Sequence, residues 1–86
     1  MSDHIAFLLS NGFALECFAG GDAYAIQSET HRITVREPGV YTHWYITVYE
    51  HDGTGYGVLY SVNISEGAPV AVFTGIMDCL MDAVQE

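Results

Sequence analysis

At 86 residues and 9.4 kDa, the chain is long enough for one small domain and too short for two separate cores. Half of it is hydrophobic and 13% is aromatic, a composition that folds rather than one that stays disordered. Two arginines and no lysine stand against eleven acids, a net charge of −9, which argues against direct nucleic-acid binding and against adhesion to anionic membranes, because both need cations.

Ser2 or Asp3 can cap a short helix carrying Ile5, Phe7, Leu8 and Leu9 on one broad side, and Asn11-Gly12 supplies its stop. Ala14 to Phe18 reads as a strand, Gly20-Gly21-Asp22 as a turn and Ala23 to Gln27 as a second strand. After the polar Ser28-Glu29-Thr30, His31 to Glu37 alternates, with Ile33 and Val35 pointing one way and Arg32, Thr34 and Arg36 the other. Pro38-Gly39 breaks that run.

Tyr41 to Glu50 is the strongest strand in the sequence, rich in Tyr, Thr, Trp, Ile and Val. It places Thr42, Trp44, Ile46 and Val48 on one side and Tyr41, His43, Tyr45, Thr47 and Tyr49 on the other. His51-Asp52-Gly53-Thr54-Gly55 is a hairpin loop, and Tyr56 to Ile64 returns with Tyr56, Val58, Tyr60, Val62 and Ile64 expected on a single side. Pro69 opens a C-terminal helix whose Val70, Phe73, Ile76, Met77, Leu80 and Val84 recur at three- and four-residue steps. Gly75 inside it suggests close packing there. No repeat, linker or low-complexity segment interrupts residues 1–86, which read as a single domain. The elements add up to an α+β fold: about five antiparallel strands, with a short N-terminal and a longer C-terminal helix packed on one face. No apolar run approaches the roughly 18–20 residues that span a membrane, and no basic, apolar leader is seen, so the setting expected is cytoplasmic.

No motif specifies a reaction. The four histidines lack ligand spacing and no serine sits in a nucleophile elbow, so no metal, no cofactor and no catalytic residue is expected. Gly53-Thr54-Gly55-Tyr56-Gly57 lacks the lysine of a phosphate loop. Cys17 and Cys79 are expected as buried, reduced thiols.

The acids are patterned. Asp78, Asp82 and Glu86 follow at four-residue steps on the helix side away from Phe73, Leu80 and Val84, each step about 6 Å of rise. Like charges so spaced repel, and they stand at the negative end of the helix dipole. Glu50 and Asp52 form a second group at the hairpin. A solvated face serving solubility explains negative charge but not the absence of lysine. The alternative is a surface matched to a positive one.

In size, charge and this carboxylate row, the chain resembles the small acidic inhibitors that phages and mobile elements direct against restriction or CRISPR effector complexes. The resemblance implies a non-enzymatic, anti-CRISPR-type inhibitor that binds a basic protein or nucleoprotein effector and competes with DNA by mimicry. Tyr41, Tyr45 and Tyr49 would supply interface anchors, and the carboxylates the steering. Two other readings stay open: an immunity-like protein or adaptor with another basic target, and a homodimeric structural module formed by sheet extension.

Overall fold

A computed structural model describes residues 3–18, 20–39 and 42–84. Helix α1 (Asp3–Ser10) ends where Gly12 takes φ of +92°, a conformation that a side chain disfavours. The Phe13 N–H then donates to the Leu8 carbonyl at 3.0 Å and turns Phe13 into the core. Five strands follow: β1 (Ala14–Phe18), β2 (Gly21–Gln27), β3 (His31–Arg36), β4 (His43–His51) and β5 (Tyr56–Ser65). They pair antiparallel with their neighbours in chain order, a meander whose edges are β1 and β5. Helix α2 (Val70–Val84) closes the chain, the Pro69 carbonyl accepting from the Val72 and Phe73 N–H groups.

Both helices cover one face of the sheet. Leu8 from α1, Phe73 and Met77 from α2, and Ile33, Val35, Ile46 and Val48 from the central strands are all essentially without solvent contact. At one end of this core the His4 ring stacks on Trp44 at 4.9 Å, and Phe73 meets Trp44 at 5.0 Å. Trp44, Ile46 and Val48 thus face the helices, as the alternation requires.

Four expectations are corrected. In β5, Val48 pairs with Tyr60 but Tyr49 pairs with Val58, so Leu59 is an extra residue in a bulge. The bulge inverts the alternation. Tyr60, Val62 and Ile64 share the helix side with Val48, Ile46 and Trp44, whereas Val58 and Tyr56 share the opposite side with Tyr49 and His51. Cys17 and Cys79 are both exposed and free of any disulfide, not buried. Cys79 lies on the outward side of α2 beside Asp78. Cys17, although on the helix side of the sheet with Leu15 and Tyr24, stands on the edge strand β1, which the helices leave exposed. Gly75 is exposed with open space around it, so close packing does not account for it. Leu9 turns 43% of its surface to solvent, leaving Ile5 and Leu8 as the buried residues of α1.

Candidate functional site

The face away from the helices is not simply wet. Ala25, Thr34 and Thr47 stand in one row across β2, β3 and β4, and all three are buried, as is Ala23. Longer side chains on the same face roof these small residues. Arg32 lies opposite Tyr49, and Arg36 opposite Tyr45. The Arg32 guanidinium stands 5.3 Å from the centre of the Phe18 ring and 5.6 Å from that of Tyr56. Arg36 approaches the same Phe18 ring at 6.0 Å. Such contacts are favourable by about 0.5–1 kcal/mol each when exposed. Arg32 also reaches the Glu16 carboxylate at 3.5 Å, and Arg36 donates to the Gly20 and Gly21 carbonyls at 3.1 and 3.2 Å. Both cations of the chain are therefore half-buried on one face and occupied there.

The carboxylates behave oppositely: every described one is exposed. Among the described residues only Glu16 meets an arginine. Asp78 and Asp82 stand on the outer side of α2, as the four-residue steps require, while Val72, Cys79 and Ala83 follow along the neighbouring strip. Glu86 and Tyr41 lie outside the described residues.

The fold also gathers acids that the sequence separates. Met81 and Val84, in the last turn of α2, share a small pocket with Gln27 and Ser28 at the β2–β3 turn. The His51 N–H donates to the Thr30 carbonyl at 2.8 Å, which ties the β4–β5 hairpin to that same turn. Tyr56 adds a second tie, its hydroxyl donating to the Ser28 carbonyl at 3.0 Å. Glu29 of the turn, Glu50 and Asp52 of the hairpin and Asp82 of α2 are thereby brought to one end of the molecule. Glu50 is answered by His31 at 3.7 Å, a pair that is ionic only when the imidazole is protonated. Asp52 is spent locally: it accepts from the Thr54 hydroxyl at 2.7 Å and from the Thr54 and Gly55 N–H groups at 2.9 and 3.1 Å. Those bonds, the hydroxyl's first, hold its carboxyl below the usual carboxylate range.

Tyr45 and Tyr49 share the arginine-bearing face, Tyr45 being 42% exposed and Tyr49 half-buried. Asp78 and Asp82 lie beyond the other face. The sheet separates them, so tyrosine anchors ringed by these carboxylates do not form one continuous surface.

At the end of the sheet away from the hairpin, a cleft of about 820 Å³ is lined by Leu15, Tyr24, Arg36, Pro38, His43 and Tyr45, among others. Its guanidinium is the one already bonded to two main-chain carbonyls. Nearby, the Cys17 thiol donates to Asp22 Oδ1 at 3.0 Å, and this bond, with the carboxylate's charge, pushes the thiol above its usual value. A thiol so held is a poor nucleophile. Among the described residues no group of three or more His, Cys, Asp or Glu side chains converges as a metal site. No helix there is long and apolar enough to cross a membrane. Set beside known protein families, curated proteins and solved structures, the chain matches none.

Proposed function

We propose that the protein is a non-enzymatic inhibitor whose acidic end docks on a basic, nucleic-acid-handling protein, of the CRISPR-effector kind, and competes there with nucleic acid. One observation carries the reading. Every described carboxylate is exposed, and the two arginines are occupied on the other face of the sheet by Glu16 and by the Gly20 and Gly21 carbonyls, so neither pairs with Glu29, Glu50, Asp52, Asp78 or Asp82. A low-salt field of one sign steers a basic partner and accelerates encounter. Asp78 and Asp82, about 6 Å apart along α2, space charge much as a nucleic-acid strand spaces phosphates.

The test is capture of nucleic-acid-binding proteins from a host lysate at low ionic strength, followed by elution with salt and, separately, with duplex DNA. Release by both agents is expected. The combined variant Glu29→Gln, Glu50→Gln, Asp78→Asn, Asp82→Asn should capture far less, because it removes four of the nine excess charges. Asp52 is left in place to keep the hairpin folded. Capture that duplex DNA cannot displace would point instead to an adaptor or immunity-like protein, and unchanged capture by the variant would remove the acidic end from the contact.

A further inference from the structure

The two edges of the sheet are unlike. β1 is five residues long and carries Glu16, whereas β5 runs ten residues from Tyr56 to Ser65 without a charge or a proline. Along it Val58, Leu59 and Tyr60 are 67%, 48% and 39% exposed. Free edges are commonly blunted by charge, proline or shortness. In β5 the bulge at Leu59 disturbs the strand near the hairpin, but Tyr60 to Ser65 continues in regular register with β4. Every second residue of that run turns its N–H and C=O away from β4, ready to pair.

We infer that β5 is the seam of a two-fold dimer, in which a second copy of this chain adds its own β5 antiparallel and the two sheets become one. What selects a second copy is the pattern itself. Tyr60-Ser61-Val62-Asn63-Ile64 alternates apolar and polar residues symmetrically about Val62. A two-fold axis at Val62 sets Val62 against its equivalent and Tyr60 against Ile64 on the helix side. It sets Ser61 against Asn63 on the other. Apolar side chains meet apolar ones, polar meet polar, and Tyr60 gains the cover that neither helix gives it. A one-residue slip would set Tyr60 and Val62 against Ser61 and Asn63. Charge agrees with this choice. A chain of net charge −9 can approach its copy most cheaply along a strand that carries none of that charge.

This inference goes beyond the docking of a basic partner and responds to salt with the opposite sign. Two acidic copies repel, so added salt tightens the dimer by screening; the Debye length falls from about 30 Å at 0.01 M to about 3 Å at 1 M. Binding of a cationic partner weakens over the same range.

Sedimentation equilibrium of the full chain at those two ionic strengths reads the first consequence. The mass should climb with concentration from 9.4 kDa toward twice that value, and at lower protein concentration in high salt. A mass that stays at 9.4 kDa throughout overturns the dimer. Register is read by oxidative cross-linking with Cys17→Ser and Cys79→Ser as background. Val62→Cys should form a covalent dimer with itself, since directly opposed residues fall within disulfide reach. Ser61→Cys and Asn63→Cys should each cross-link poorly alone and readily when the two variants are mixed. Equal self-cross-linking by all three variants, or by Ser61→Cys in preference to Val62→Cys, would overturn the two-fold axis at Val62.

Discussion

The two faces of the sheet bury comparable positions by different means. On one, Ile33, Val35, Ile46 and Val48 are sealed by two helices that bring Leu8, Phe73 and Met77 against them. On the other, Ala23, Ala25, Thr34 and Thr47 are just as inaccessible, although no helix lies over them. There the residues beneath are short and the neighbours are long: Phe18, Arg32, Arg36, Tyr49 and Tyr56 fold across the surface and shield what lies between. The first face is closed by a second layer, the second by side-chain length alone. That difference explains why the chain keeps two arginines despite its surplus of acid. A guanidinium on a long apolar stem can roof small residues, stack on two rings and still bond to a carboxylate.

If the two covers differ in kind, they should differ in what removing one element costs. Phe73→Ala attacks the helix-covered face at a residue without solvent contact that touches His4, Phe7 and Trp44. A loss of about 3–5 kcal/mol is expected from urea unfolding, because the cavity cannot collapse between layers. That is a large part of the about 5–15 kcal/mol that holds a domain folded. A loss below about 1 kcal/mol would mean that α2 is not the lid of this core.

The opposite face should respond more mildly and in a different currency. Arg32→Ala removes two ring contacts and the Glu16 pair, but it also relieves the Arg32 Nε, which is buried without a hydrogen-bond partner. The expected net loss is about 1 kcal/mol. Arg32→Met keeps most of the apolar stem and loses only the charge. If roofing by length is the main role, Arg32→Met should retain more than half of the stability that Arg32→Ala loses, measured in the same urea titration. Equal losses for both variants would show that the charge matters and the roof does not.

How far these faces can be read from the sequence follows from the distance over which each signal acts. The strand holding Trp44, Ile46 and Val48 and the helix holding Phe73, Met77 and Leu80 announce themselves, because period 2 and period 3.6 are local patterns. Element ends shift by a residue or two: β2 begins at Gly21 rather than Ala23, since Gly21 and Asp22 already pair with Phe18 and Cys17 and the turn before them is tighter than Gly20-Gly21-Asp22 suggests. The Leu59 bulge is invisible locally, because an extra residue is defined only by the partner strand. It misplaces Tyr56 and Val58, the first of which turns out to cap Arg32. The acidic end is a long-range product in the same way. Asp78 and Asp82 are legible as a row, but Glu29 joins Glu50 and Asp52 through the β3–β4 pairing and the His51–Thr30 and Tyr56–Ser28 bonds, and Asp82 through the packing of Met81 and Val84 on Gln27 and Ser28, none of which a spacing encodes. The exposure of Cys17 runs against the usual burial of free cysteine, and its bond to Asp22 supplies a reason after the fact.

The hairpin that joins β4 to β5 belongs to neither face and shows the smallest expected effect. Nothing roofs Asp52; its carboxylate alone gathers the Thr54 hydroxyl and the Thr54 and Gly55 N–H groups, with Gly53 at φ of +96° allowing the chain to turn around it. Because these bonds favour the charged form, the folded carboxyl titrates below its unfolded value, near 4 for a free aspartate. The order it lends is therefore present at pH above about 4 and is lost as acidification passes through the lower, folded value. Amide resonances of Thr54 and Gly55 should titrate together with a midpoint below that of a free aspartate, while those of the Thr34–Thr47 row stay still. Asp52→Asn should leave the tip insensitive over the same range and leave global unfolding nearly unchanged, since a solvent-exposed loop adds little to the core. A midpoint at the ordinary value would mean that the three bonds are too short-lived to favour the anion, and that the tip is held without the carboxylate, by the Asp52 N–H to Gly55 carbonyl and Gly53 N–H to His51 Nδ1 bonds.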